Sequence, residues 1–516
     1  MTLTLTVRDP LDYATAERRR ALAESGFIES LVNRDSSLWG LEAQAEASIR
    51  LGWTAHPSSW IPLARDVMAL REELSGRGID RVVLCGMGGS SLGPEVMAAS
   101  ASIPLTVIDA THPDEVGPEL ARDLSGTAVV VSSKSGGTVE TDSQRRAFEA
   151  ALVNQGLNPV DHIVIVTDPG SPLHHASHEA GYRVFEGDAT IGGRFSAISP
   201  FGLVPMGLAG MDLLAFLEDA SAGYEACRGS GEDNPALRLG VALAQGHPTV
   251  NKILYREDPS HPGLGDWVEQ LVAESTGKDG KGILPVVGTS FDGLPDALSV
   301  GGAGSESDVE ISGNLAEHMI LWEFATVVAC AEIGVNPFDQ PNVESAKVAA
   351  RELLESTSVA SRAEEDFDGF SVFAKPPLPA LESLSELPKL LGQLAGKRGY
   401  IAVCVFAPRT SQSLWREVGH SIERTTGRPV TIGFGPRFLH STGQLHKGGA
   451  PEGVFLQIIA TPHTEVEIPG RDFGFSELLL SQAHGDARVL VGTGQPVISM
   501  TGSREHVARL VEALRA

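Results

Sequence analysis

Between residues 62 and 217, short apolar runs alternate with stretches of helical periodicity. This alternation predicts a parallel, doubly wound sheet that is covered by helices on both faces. The apolar runs that we predict as strands cover residues 82–85, 105–108, 128–131 and 162–166. In sheets of this kind, ligands bind outside the carboxyl ends of the strands. The loops that follow these runs are therefore the first places to look for a site.

The first predicted strand is followed by a turn that is rich in glycine and hydroxyl groups. The stretch 81–94 reads RVVLCGMGGSSLGP, with Gly86, Gly88 and Gly89 ahead of Ser90 and Ser91. Glycines let the backbone adopt positive φ and approach a ligand closely. The unpaired N–H groups at the start of the next helix attract an anion. The stretch therefore predicts an anion cradle, for a phosphate or a carboxylate.

A second loop of this type, SSKSGGT at 132–138, follows the third predicted strand. Its hydroxyls and its lysine can donate several hydrogen bonds to a phosphate. Either loop alone is more typical of an ordinary Ser/Gly turn, but two of them after strands of one sheet favour a phosphate site. The pattern matches neither GxxxxGK[ST] nor GxGxxG, so it supports neither a nucleotide P-loop nor a dinucleotide site.

Composition limits the class of protein and its partners. The chain has 516 residues, enough for two to four structural units. Its net charge of −26 argues against nucleic acid or an anionic membrane as the main partner. Four widely spaced cysteines fit buried thiols in a reducing compartment. We see no signal peptide and no apolar stretch long enough to span a bilayer, so we expect a cytoplasmic protein.

The two loops resemble the sugar isomerase (SIS) domain, a flavodoxin-like unit that binds phosphosugars. Later segments narrow the resemblance to the phosphoglucose isomerase family, and together they cover roughly residues 80–350 in the family's order. These segments are GGRFS at 192–196, QLVAESTGK at 270–278, GNLAEH at 313–318, and NPFDQ at 336–340 running on to Lys347.

The resemblance implies a phosphate-binding set and a reacting set. The residues implied to bind the substrate and its phosphate are Gly89, Ser90, Ser133, Lys134, Ser135, Thr138, Gly193 and Gln340. Glu274 would move a proton between C2 and C1, and Arg194 would stabilise the enediolate. His318 would open the sugar ring with Lys347. Because the family supplies the histidine from the neighbouring subunit, the resemblance also implies a homodimer.

The chemistry of an aldose–ketose conversion fits these residue types. The reaction needs one carboxylate that accepts and returns a proton, and a cation that meets the charge that builds on oxygen. It requires no metal and no cofactor. Each residue also has a plain structural alternative: Arg194 as a surface charge, Glu274 as a solvated acid, and His318 as a core histidine. The run of histidines at 174, 175 and 178 is interpreted as a polar helix face, with a metal site as the alternative.

We therefore predict two flavodoxin-like, doubly wound parallel-sheet (SIS-type) domains. Residues 1–60 would form a helical arm, 61–225 the first domain, and 226–365 a second-domain segment carrying catalytic groups. An extended C-terminal α/β region at 366–516 would complete the second domain, after a linker at about 355–379. This region resembles the isomerase half of fused transaldolase/phosphoglucose isomerase proteins, and we expect a stand-alone isomerase.

The segment 435–449, GPRFLHSTGQLHKGG, has two open interpretations. Its cations and amides suggest contact with the active site or a subunit interface, whereas the alternative is a loop held by its own hydrogen bonds. For the whole chain, the expected activity is interconversion of glucose 6-phosphate and fructose 6-phosphate. The alternatives are a phosphosugar-binding regulator, a scaffold built on an inactive isomerase fold, or an isomerase that also accepts mannose 6-phosphate.

Overall fold

The structure is a computed structural model that describes residues 2–342, 348–349, 352 and 365–515. The strands are β1 Thr4–Val7, β2 Arg81–Gly86, β3 Thr106–Ile108, β4 Thr127–Ser132, β5 Ile163–Thr167, β6 Arg183–Glu186, β7 Lys252–Tyr255, β8 Leu284–Val287, β9 Ala297–Gly302, β10 Val309–Ser312, β11 Glu365–Phe367, β12 Phe370–Lys375, β13 Tyr400–Phe406, β14 Val430–Phe434, β15 Gly453–Ala460 and β16 Val497–Gly502.

Helices separate most of these strands, as the alternating pattern predicts. They are α1 Leu11–Glu24, α2 Phe27–Val32, α3 Leu41–Arg50, α4 Ile61–Gly76, α5 Leu92–Ala101, α6 Pro113–Leu120, α7 Val139–Asn154, α8 Pro172–Ala180, α9 Pro200–Ala209, α10 Leu213–Cys227, α11 Pro235–Ala244, α12 Leu264–Thr276, α13 Leu315–Ile333, α14 Leu387–Ala395, α15 Gln412–Thr426, α16 Gly443–Gly448, α17 Phe475–Gly492 and α18 Arg504–Arg515. No helix within the described ranges is both long enough and apolar enough to span a membrane.

The first sheet is parallel throughout, with strand order β3-β2-β4-β5-β6. Its strands are buried apolar runs, as β4 shows, because helices cover both faces. All four strands predicted for this region are present, which confirms the predicted doubly wound α/β class. The chain reverses its direction of winding between β2 and β4, and this is the switch point at which such sheets bind ligands.

The second sheet repeats this winding, with order β1-β10-β9-β7-β8. Strands β7 to β10 are parallel, whereas β1 pairs antiparallel with β10 and closes the edge of the sheet. The predicted helical arm therefore begins with a strand that belongs to a sheet formed mainly by residues 252–312. Its helices follow, with α1 packed against α11.

The C-terminal residues form a third sheet, with order β11-β12-β16-β15-β13-β14. Strands β13 to β16 are parallel and repeat the winding of the other two sheets, while β12 and β11 add an antiparallel edge. This sheet packs on the second through a shared core that includes Leu254, Val286, Phe406 and Phe455. The predicted domain boundaries remain a prediction.

The predicted linker at 355–379 is wrong over the part that the structure describes. Strands β11 and β12 form a hairpin there, and β12 hydrogen-bonds to β16. Phe370 and Val372, which are alternate residues of β12, are buried in the hydrophobic core of the third sheet. The exposed acidic residues of β11 lie at the edge of this sheet. The acidic residues of this segment therefore belong to an edge strand, where their charges protect the sheet from pairing with other chains.

Candidate active site

A cavity of about 650 Å³ lies where the loops that follow β2 and β4 meet. It is lined by the predicted site residues Gly89, Ser90, Ser133, Lys134, Ser135, Thr138, Gly193, Arg194, Glu274 and Gln340. Residues up to about 250 positions apart therefore line one site. The position at a topological switch point is the one expected for a ligand site in an open α/β sheet.

The first loop uses two glycines to bring backbone segments together. Gly88 has φ +55°, and a Cβ there would lie 2.6 Å from the carbonyl oxygen of His440. A Cβ on Gly89 would lie 1.9 Å from the carbonyl oxygen of Gly193. No side chain fits at either position, so these glycines are required by close packing. The loop then enters α5, with the side chain of Ser90 buried beside the cavity.

The second loop places hydroxyl groups at the start of α7. The hydroxyl of Ser133 donates to that of Thr138 over 3.2 Å, and Thr138 immediately precedes the helix. Thr138 makes no side-chain capping bond to α7, so backbone N–H groups at this helix start remain available. Together with the positive end of the helix dipole, they suit an anion.

The ammonium group of Lys134 is held by protein groups. Its Nζ donates to Asp168 Oδ2 over 2.6 Å and to the carbonyl of Asp188 over 2.9 Å. Burial lowers the pKa of the Lys134 ammonium and raises the pKa of the Asp168 carboxyl, although each partner favours the charged form of the other. The loop therefore offers hydroxyls and backbone N–H groups, with the lysine acting from an ion pair.

Arg194 and Glu274, for which the sequence predicts the reacting roles, lie together at the cavity, and we call their side of it the reacting side. A short helical turn presents Arg194, and Glu274 lies in the last turn of α12. The guanidinium is 3.4 Å from Glu274 Oε1, and both side chains are almost fully buried. The predicted alternatives, an exposed arginine and a solvated acid, therefore do not describe these residues. A buried carboxylate beside a fixed cation is the arrangement that enediolate chemistry requires.

Backbone carbonyls fix the guanidinium of Arg194. Nη1 donates to the carbonyls of Glu274 at 2.6 Å and Pro337 at 3.0 Å, and Nη2 donates to those of Phe338 and Asp339 at 3.2 Å each. A planar fork with several donors is needed to bind four carbonyls at once. The segment that leads to Gln340 is consequently held next to Glu274.

Lys278 supports the same segment from the other side. Its buried Nζ donates to the carbonyl of Asn336 over 2.6 Å and to Asp339 Oδ1 over 2.7 Å. Burial lowers the pKa of this ammonium, against the opposing effect of Asp339. Two buried cations thus fix residues 336–339, and Gln340 follows directly at the cavity wall.

A histidine from the C-terminal segment also lines the cavity. The carbonyl of His440 accepts from Gln270 Nε2 over 2.9 Å, and the same amide donates to Glu274 Oε2 over 3.1 Å. The ring Nε2 of His440 is 2.8 Å from Glu140 Oε1, which also accepts from Gln482 Nε2. His440 is therefore oriented by a buried carboxylate, an arrangement that suits an acid/base group.

His318 is not one of the residues of this chain that line the cavity. It lies in the first turns of α13, almost fully buried, with its ring centroid 4.9 Å from that of His261. Burial, aided by His261, lowers the pKa of His318 to about 4. Lys347 lies outside the described residues. The geometry of the cavity therefore does not test the roles predicted for His318 and Lys347.

Several residues at the cavity were not predicted from the sequence. They include Glu46, Arg50, Asp168 and Gln270. Arg50 ends α3, where its Nε donates to Glu46 Oε1 over 2.7 Å. No motif marks that helix, whereas Gln270 is detectable because it precedes Glu274 by one turn and shares its helix face.

His440 of the segment 435–449 reaches the cavity, and ion pairs to residues outside the segment fix the rest of it. Arg437 pairs with Glu95 and, over 3.3 Å, with Asp109 Oδ2, and Lys447 pairs with Asp486 over 2.6 Å. The segment is thus fixed in place by ion pairs that extend to the first sheet.

Curated proteins include relatives of this chain. No protein-family profile matches the chain. A probable glucose-6-phosphate isomerase of Natronomonas pharaonis is 31% identical over 51% of this chain and 63% of its own length. A glucose-6-phosphate isomerase of Thermus thermophilus is 33% identical over 49% of this chain and 63% of its own length.

This chain is homologous to glucose-6-phosphate isomerases. It spans 63% of the length of the first two curated isomerases that it matches. The crystal structure of a glucose-6-phosphate isomerase from Chlamydia trachomatis matches with a TM-score of 0.54 at 20% identity, covering 68% of this chain and 88% of that one. At this identity the structural match supports the fold shared with the isomerase.

Proposed function

We propose that this chain is an aldose–ketose isomerase that interconverts glucose 6-phosphate and fructose 6-phosphate. One observation carries the proposal: the carboxylate of Glu274 lies 3.4 Å from the buried guanidinium of Arg194. This pair shares a cavity with two hydroxyl-bearing loops that suit a phosphate. The printed names of the homologues point to the same reaction.

In the proposed reaction, the two loops bind the phosphate and fix the position of the open sugar. The Glu274 carboxylate removes the proton from C2 of the aldose and returns it to C1, while the hydroxyl proton passes from O2 to O1. Negative charge develops on the enediolate oxygens, and the fixed guanidinium of Arg194 stabilises it without reorganisation. Reversal of these steps converts the ketose to the aldose.

Ring opening needs a second acid/base group, and we propose His440 for it. Its position at the cavity and its bond to the buried Glu140 support the assignment. The sequence resemblance proposes His318 from a neighbouring subunit for the same step, together with Lys347. These alternatives differ in whether the histidine comes from the same chain as Glu274, and this difference can be measured.

We further propose that the enzyme works as a homodimer in the cytoplasm, in glycolysis and gluconeogenesis. The assembly follows from the family resemblance, and the compartment from the free, buried cysteines. Gel filtration with light scattering measures the assembly directly. A monomer with full activity would contradict the proposed dimer.

The test is a coupled assay of fructose 6-phosphate conversion to glucose 6-phosphate. We expect activity in the wild type, a loss of roughly 10³-fold in kcat for Glu274→Gln, and no change for Glu72→Gln on the exposed face of α4. If wild type and Glu274→Gln are equally inactive but still bind phosphosugars, the chain is a regulator. The same assay with mannose 6-phosphate determines whether the C2 epimer is also used.

A further inference from the structure

The histidines of α8 form a cluster that the proposed reaction does not use. His174 and His178 are one helical turn apart on the same face, and Glu186 ends β6, the neighbouring edge strand. One ligand atom from each of the three lies within 4.8 Å of the others. The rings of His174 and His178 have centroids 4.5 Å apart. In the part of the chain that the structure describes, this is the one such group of three.

We propose that His174, His178 and Glu186 form a binding site for a divalent transition metal of the zinc class. Two imidazoles and a carboxylate are the ligand set of many three-residue zinc sites, and imidazole favours Zn²⁺ over Mg²⁺ or Ca²⁺. Metal–ligand distances of about 2.0–2.2 Å place tetrahedral ligand atoms roughly 3.3–3.6 Å apart. The ligand atoms of the three residues lie within 4.8 Å of one another, and those of His174 and Glu186 are 2.9 Å apart, so the observed separations bracket this spacing.

The cluster is held on a rigid part of the fold. Leu173 and Ser177, on the face of α8 next to the two histidines, are buried, and the side chain of Ser171 caps the helix by accepting from His174 N. His174 Nε2 lies 2.9 Å from Glu186 Oε1, and its Nδ1 is buried without a partner among the described residues. This contact thus brings two ligands within hydrogen-bond distance before any metal binds. The exposed His178 leaves a fourth position open to water.

A metal at this site would join α8 to β6 behind the second phosphate loop. A Cβ on Gly136 of that loop would lie 2.9 Å from Leu173 of α8, so loop and helix are in close contact. After β6, the carbonyl of Asp188 accepts from Lys134. Metal binding is therefore expected to stabilise the elements that support Lys134, and to do so whether or not the chain is an isomerase.

The test is titration of untagged, chelator-treated protein with ZnCl₂ by isothermal calorimetry. We expect one saturable site per chain. His174→Ala and His178→Ala should each weaken Zn²⁺ binding at least about tenfold, because even the loss of an outer-shell partner costs roughly 10–100-fold. Glu186→Gln should weaken it also. His175→Ala is the matched control, because this exposed neighbour lies outside the group and should leave the affinity unchanged.

Two further measurements separate a site from scattered binding to histidines. Co²⁺ should give the visible absorption of a tetrahedral centre in the wild type and lose it in His178→Ala. Saturating Zn²⁺ should raise the unfolding temperature of the wild type and of His175→Ala, but much less that of His174→Ala or His178→Ala, because binding to the native state stabilises it. Absence of saturable binding, an equal loss in His175→Ala, or unchanged affinity in Glu186→Gln would each overturn the proposed three-residue site.

Discussion

The two sides of the cavity are built in different ways. On the phosphate side, each loop is a continuous stretch that follows one strand of the first sheet. On the reacting side, Arg194, Glu274 and His440 come from distant positions, and each depends on partners elsewhere in the chain. The comparison shows that each phosphate loop is formed by one short stretch of sequence. The groups on the reacting side, in contrast, are brought together only by the complete fold.

In the proposed isomerisation, this difference between the two sides separates substrate binding from turnover. The phosphate is present in substrate, transition state and product, so contacts to it contribute mainly to uniform binding. Charge on the enediolate appears only during reaction, so the Arg194 side acts on kcat. Substitutions on the two sides should consequently have different kinetic signatures.

The largest effect in this comparison is expected for Arg194→Lys. A lysine keeps the charge but cannot bind four carbonyls in one plane, so the segment 337–339 loses its support. We expect kcat to fall by about 10²–10³-fold with a smaller change in KM. Steady-state kinetics measures this, with the exposed Arg183→Lys as control. A rise in KM at constant kcat would place Arg194 among the binding groups.

The next effect concerns the proposed ring-opening histidine, which is His440 or His318. His440→Gln should lower kcat by roughly 10²-fold, the contribution of a positioned acid/base group. Mixing inactive chains separates the candidates. If His318 acts in a neighbouring subunit, Glu274→Gln mixed with His318→Gln regains activity, whereas Glu274→Gln mixed with His440→Gln does not. Recovery in the second mixture would show that His440 does not work beside Glu274 of its own chain.

A smaller effect is expected on the phosphate side. Ser90→Ala removes one hydroxyl from the first loop while the backbone N–H groups remain. We expect KM to rise about tenfold or less with kcat nearly unchanged, as for one hydrogen bond to a charged group. Inhibition by inorganic phosphate should weaken in parallel. A fall in kcat at constant KM would contradict the division between the two sides.

The smallest effect on catalysis is expected for Glu115, which lies where the C-terminal region meets the first sheet. Its substitution should change the stability of the fold. Glu115 Oε2 accepts from the backbone N–H of Arg409, and burial raises the pKa of this carboxyl to about 7. The folded state therefore binds this proton more tightly than the unfolded state does. Its ionisation lowers stability as pH rises from the unfolded pKa of about 4.5 to the folded pKa of about 7.

Glu115→Gln removes this ionisation and keeps an acceptor for Arg409. We expect the variant to gain roughly 1–3 kcal/mol of stability over wild type at pH 8, and much less at pH 5. Urea unfolding at the two pH values measures it. Glu95→Gln is the opposite case: burial opposes ionisation, but Arg437 and Arg409 lower the pKa of Glu95 to about 2. Glu95→Gln should therefore be less stable than wild type at pH 8. Equal changes in the stability of Glu115→Gln and Glu95→Gln would contradict the opposite pKa shifts assigned to these two carboxyls.

Local patterns explain what could be predicted from the sequence. The strand runs, the two loops and the position of Glu274 near a helix end depend on neighbouring residues, and the structure agrees with each. The contact between His440 and Glu140 joins residues 300 positions apart, and no local pattern encodes it. The pairing of Lys134 with Asp168 could likewise not be predicted from the sequence, because a lysine in a loop is expected to be solvated.

The antiparallel strand β1 has a consequence for handling this protein. It covers β10 with four residue pairs, linking residues about 300 positions apart. Deleting residues 2–8 would leave the N–H and C=O groups of β10 open along a sheet edge, and open edges recruit strands from other chains. A shortened chain is therefore expected to aggregate even with every group of the cavity in place.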